Sequence, residues 1–148
     1  MSGYPKEFIA NSAAKSGIQT SWITGCETTS ETINVAIPKE FEGPGLHHSP
    51  EDLYAEALLN CFVATFKFAA EKSALTFTEL NAKCRLVVDL NESKAPWMKE
   101  AHFTIDIFGV EKLDRAQRLV EKVKQNCLIL NSVATHKYFN IQINGEKI

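Results

Sequence analysis

The sequence predicts an α+β domain with the element order βββ-α-ββ-α-β, and three patterns carry that expectation. Between Leu80 and Ile107, and again at Phe139, Ile141 and Ile143, apolar residues alternate with polar ones, the period of a half-buried strand. Two other segments, one opening at Ser49 and one near Leu113, repeat their apolar residues at helical spacing. Short β-prone runs separated by Ser, Gly and Thr fill the N-terminal quarter.

In chain order, residues 8–16, 18–24 and 32–37 read as three short strands of an antiparallel meander, with Ile33, Val35 and Ile37 alternating in the third. A loop follows over 38–48, with Gly43-Pro44-Gly45 at its centre. Ser49 has the chemistry of a helix N-cap. Pro50 suits the first helical position, where its missing N–H costs nothing, and Glu51 and Asp52 complement the positive end of the helix dipole. The helix runs through the most apolar stretch of the chain, 53–70, which Glu56, Asn60 and Lys67 interrupt. One central Lys or Asp costs about 2.5–3.5 kcal/mol in a membrane, so a buried core helix is expected rather than a span. Leu80, Ala82, Cys84, Leu86, Val88 and Leu90 then share one face of a long strand. Its partner runs through Ala101, Phe103, Ile105 and Ile107 after a loop holding Ala95-Pro96. An amphipathic helix over 113–127 and a last strand before Asn144-Gly145 complete the order.

At 148 residues and 45% hydrophobic, the chain suits a single domain, 1–148, that buries roughly two-thirds of its unfolded surface. A net charge of −2 with singly scattered Lys and Arg gives no footprint for nucleic acid or an anionic membrane, so neither is an expected partner. The first eight residues lack the features of a signal peptide, which makes the cytoplasm the expected location. No Gly-rich phosphate loop or nucleophile elbow is present, and the four cysteines and four histidines lack metal-ligand spacing. No cofactor and no metal are therefore expected.

The chemistry-bearing residues are Cys61 and Cys127, each on the apolar face of a separate helix. Cys61 shares a stripe with Ala57, Leu58, Thr65 and Phe68, and Cys127 with Val120 and Val123, so both thiols are expected to face inward. In a reducing compartment a thiol pair suggests redox chemistry before a structural staple. A buried cysteine can equally pack as a small hydrophobe, and that reading suits Cys84, which alternates with Leu and Val. Cys26 lies in a turn-like segment, Thr24-Gly25-Cys26-Glu27-Thr28. An apolar helix face disfavours a thiolate, so a nucleophilic Cys61 needs a positive neighbour. Lys67 lies about 240° further round the helix and points elsewhere. If Cys61 attacks a peroxide it becomes a sulfenic acid, which a thiol with its Cα within roughly 7 Å can convert to a disulfide.

The element order, the Ser-Pro-Glu-Asp-Leu helix start ahead of Cys61 and the second cysteine at the end of the second helix together resemble the OsmC/Ohr family of osmotically inducible and organic hydroperoxide resistance proteins. The resemblance spans residues 8–143. It implies an OsmC-like fold in which antiparallel sheets pack around central helices in an intertwined homodimer. It also implies a cysteine-based peroxidase in which Cys61 attacks an organic hydroperoxide, Cys127 resolves the product as a disulfide, and a dithiol reductant restores both. Glu51 matches the glutamate that orients an activating arginine. Here the chain departs from the pattern, because its only arginines are Arg85, Arg115 and Arg118, and Lys15 is the nearest cation in the N-terminal hairpin. The family's Cys-Pro at the second site is Cys127-Leu128. On one straight helix Glu51 and Cys61 stand about 15 Å apart, so Glu51 acts on the thiol through a bridging cation, a helix break or a partner chain, or else simply complements the helix dipole. Two other functions stay open: thiol-disulfide exchange with another protein, and a noncatalytic dimer that binds an apolar ligand.

Overall fold

A computed structural model describes residues 3–148; Met1 and Ser2, the start of the segment read above for a signal peptide, lie outside the described residues. The chain divides into two compact units, one ending at Leu53 and one spanning Tyr54–Ile148.

The first unit is the expected meander, with β1 (Ala10–Ala13), β2 (Trp22–Cys26) and β3 (Thr29–Val35) in antiparallel order β1-β2-β3. The second strand begins at Trp22 rather than residue 18. Gly17 takes φ +110°, and its carbonyl accepts both the Thr20 N–H at 3.2 Å and the Thr20 hydroxyl at 2.8 Å, which closes a turn there. Cys26 ends β2 beside a register shift instead of lying in the turn. Ser49 caps the next helix as its chemistry requires. Its hydroxyl accepts the Asp52 N–H at 3.0 Å, and Asp52 Oδ2 accepts the Ser49 N–H at 2.9 Å, a reciprocal capping box.

That helix, α1 (Pro50–Lys72), carries the chain into the second unit without a break. There β4 (Glu79–Leu90) and β5 (Pro96–Phe108) form a long antiparallel hairpin whose loop is held by Asn91, Oδ1 of which accepts the N–H groups of Ser93 and Ala95. Next come α2 (Leu113–Asn126), a short α3 (Leu128–Asn131), β6 (His136–Ile143) and a two-residue β7 (Glu146–Lys147). The sheet order is β4-β5-β6-β7, and β5 pairs with β6 in parallel because the α2–α3 segment is a crossover connection. Leu58, Phe62, Phe66 and Ala70 of α1 belong to one buried cluster with Ala101, Phe103, Ile105 and Ile107 of β5 and Ala116, Val120 and Val123 of α2. By length and composition α1 could cross a membrane, yet it is a partly buried core helix. The alternation expected along β4 holds as far as Leu86. Beyond a register shift at Val87/Val88, where Lys99 of β5 is the extra residue, Val88 and Leu90 are exposed.

Gly109, at φ +70° after β5, is needed twice over: for its left-handed backbone and because an added Cβ would overlap the Thr78 side chain. Gly109→Ala is expected to lower stability by about 2–4 kcal/mol, read as a shift of the urea midpoint with an unchanged slope.

Candidate active site

The buried stripe of α1 is Leu58, Phe62, Phe66 and Ala70, one position round from the expected one. Phe68 is 59% exposed and Ala57 is exposed, which corrects the inward stripe that included them. An apolar helix offers neighbouring stripes that sequence periodicity cannot separate, and aromatic packing decides between them. Phe62 stacks on Phe66 at 6.3 Å and meets Phe139 of β6 at 6.1 Å, while Phe66 meets Phe77 edge-on at 5.2 Å. Cys61 is consequently half-buried, beside the core rather than within it.

Cys127 is fully buried. It is the single extended residue between α2 and α3, with φ −68° and ψ 110°, and Leu119, Val120 and Val123 of α2 are buried with it. This places its thiol near both the Cys61 thiol and the Thr65 hydroxyl, close enough for each to act on its charge. Thr65, one turn beyond Cys61, donates to the Cys61 carbonyl at 2.7 Å. The two thiols singled out from sequence therefore meet. Burial pushes the Cys127 thiol up to about 11; proximity to Cys61 adds to this and contact with Thr65 opposes it.

Two further features of the site escaped sequence reading. The Ile129 backbone N–H donates to Cys61 Sγ at 3.3 Å. No side-chain signal could reveal a peptide donor, and the sequence pattern ended the helix at residue 127 without showing the short turn that follows. Thr65 was legible only as a member of an apolar stripe.

The remaining candidates fall elsewhere. Lys15 is exposed in the β1–β2 loop, where its carbonyl accepts a 3.5 Å hydrogen bond from the Thr20 hydroxyl. Glu51 lies in the first turn of α1, and its Oε2 is buried with no hydrogen-bond partner among the described residues. Because α1 is continuous, the helix break drops out as a route from Glu51 to Cys61, and their separation along it is about 15 Å. Arg115 on α2 donates to the Ser73 carbonyl. Cys84 is half-buried against the core, and burial raises its thiol pKa. Cys26, His47 and His48 are exposed. His102 bonds Glu100 at 2.8 Å and stacks on Tyr138 on the outer sheet face.

The raised Cys127 pKa has a consequence for stability. The folded state holds the thiol proton from an ordinary 9.0 up to about 11, whereas the unfolded chain releases it at the lower value. Folding therefore binds more protons in that window, and stability falls as pH rises through it, by roughly 2–3 kcal/mol at full extent. Below pH 9 this contribution is constant. Urea unfolding at pH 8 and pH 10.5 should show the loss in the native chain and a shallower one in Cys127→Ala.

A family model described as OsmC-like protein matches residues 43–142. An uncharacterized protein of Bacillus subtilis (strain 168), YmaD, is 22% identical over 104 residues, 68% of this chain and 69% of that protein. Among solved structures, an OsmC-like protein of unknown function from Vibrio cholerae O1 superposes with TM-score 0.82 at 16% identity, covering 93% of this chain and all of that one. An organic hydroperoxide resistance protein from Elizabethkingia anophelis superposes with TM-score 0.73 at 18% identity, over 95% of this chain and 96% of that one.

Proposed function

Since the chain belongs to the OsmC-like protein family, we propose that it is a thiol-dependent peroxidase that reduces organic hydroperoxides through Cys61 and Cys127. The observation that carries this reading is the meeting of the two thiols beside the α1 core. Cys61 is the attacking sulfur because it is half-buried and reachable, whereas Cys127 is fully buried and holds its proton. The Cys61 thiolate attacks the terminal peroxide oxygen, the O–O bond breaks, and the departing alkoxide takes a proton to leave as an alcohol. The resulting Cys61 sulfenic acid condenses with the Cys127 thiol, releasing water and forming the disulfide. A dithiol reductant then returns both sulfurs to thiols and is itself oxidised.

Glu51 is assigned as an orienting carboxylate. A buried carboxylate oxygen without a donor is costly, and its need for a partner supports a cation supplied on assembly. Lys15 is the cation we propose for that part, within an intertwined homodimer of single OsmC-like domains working in the cytoplasm in a response to oxidative stress. Cys61 packs against the apolar core cluster, an environment that favours organic hydroperoxides over hydrogen peroxide.

The test is to add stoichiometric cumene hydroperoxide to reduced protein, quench with an alkylator and map the cysteines. A rapid Cys61–Cys127 disulfide is expected, with faster turnover on cumene hydroperoxide than on hydrogen peroxide. Equal or reversed preference would remove the organic substrate. Thiols left unmodified by peroxide would give the lead to apolar-ligand binding, which the lack of an arginine in the N-terminal hairpin favours. Equilibration with a dithiol without peroxide consumption would point to disulfide exchange.

A further inference from the structure

The chemistry proposed above needs the Cys61 sulfur as an anion, and a donor placed directly against that sulfur would help hold it so. We propose that the peptide N–H of Ile129 fills this role, donating directly to the Cys61 thiolate. The inference rests on the reading of Cys61 as a reactive thiol, and it concerns how this chain keeps that thiol reactive.

The geometry behind it begins with chain direction. The extended backbone of Cys127 interrupts the helical path, so the chain re-enters a helical turn at Leu128. Ile129 is the second residue of that turn, where a backbone N–H has no carbonyl four residues earlier to bond within the turn. Its donor is therefore free for another acceptor, and it lies 3.3 Å from Cys61 Sγ. A four-residue turn carries little dipole, so the effect comes from one directed hydrogen bond. Its strength grows when the acceptor is charged, because a charge-assisted hydrogen bond is roughly twice as strong as a neutral one.

The experiment replaces the Ile129 amide by an ester, using the α-hydroxy analogue of isoleucine, which removes the N–H and keeps the side chain. The rate of Cys61 alkylation by iodoacetamide is then followed from pH 5 to 9 in the reduced, full-length protein. The expected result is a rate about tenfold lower at pH 7, with the profile displaced toward alkaline pH, as loss of one charge-assisted hydrogen bond implies. An unchanged profile in the ester variant overturns the Ile129 donor. In the unaltered ¹⁵N-labelled protein the Ile129 amide resonance should move as Cys61 ionises, and should stay fixed over the same range in Cys61→Ala. A resonance indifferent to pH in both overturns the Ile129 assignment even where the ester variant does not fold. Peroxide turnover enters none of these readings. The donor can therefore fail while the peroxidase reading stands, and the reverse.

Discussion

Cys61→Ser is expected to lower organic hydroperoxide reduction by about a thousandfold or more, because it removes the only step in which the protein makes a bond to the peroxide. Cys127→Ser should behave differently. Its first turnover should proceed, since the attacking sulfur is intact, and it should halt at the Cys61 sulfenic acid, trappable by a 1,3-diketone reagent. Fold should survive both changes. Cys61 lies beside the buried stripe, and serine at 127 is close to cysteine in volume, although it carries a hydroxyl into a fully buried position beside Thr65. A Cys61→Ser protein that still consumed peroxide through Cys127 would reverse the assignment of attacker and resolver. That outcome would contradict burial, which holds the proton on Cys127. Measuring alcohol release in a single turnover separates the two orders, because only the attacking cysteine is needed for it.

The sequence made the α1 entry legible to the residue, because capping is local chemistry: Ser49, Pro50 and Asp52 act within one turn. It also brought the two cysteines into view through helical spacing, although Cys127 stands just past the end of α2 rather than on its apolar face. What it left unread depends on contacts distant in the chain. The displaced stripe of α1 is set by Phe139, 77 residues after Phe62, and the pairing of β4 beyond Val87 by the extra residue Lys99 on β5. The parallel β5–β6 pairing, too, is a property of the crossover rather than of either strand. At the site, alternation and helical spacing could bring Cys61 and Cys127 into view. They could not show that the peptide after Leu128 aims its N–H at the first sulfur.

Phe62→Ala is expected to cost about 3–5 kcal/mol, a large share of the 5–15 kcal/mol that holds a typical domain together. Phe62 is fully buried, and it links α1 to the sheet through Phe139, which itself stacks on Phe103 at 4.9 Å. Its removal leaves a cavity walled by rings on two elements, which cannot both close on it, so little of the loss is recovered by relaxation. Phe62→Leu, which keeps most of the volume, should cost under about 1.5 kcal/mol. Phe68→Ala supplies the contrast on the same helix. At 59% exposure it should cost no more than about 0.5 kcal/mol if that face of α1 meets only water. A larger loss that grows on dilution would instead mean that a second copy covers Phe68, the outcome the homodimer proposal requires if its interface reaches this face. Urea unfolding of the three variants at two protein concentrations distinguishes these effects, because a loss confined to the core does not depend on concentration.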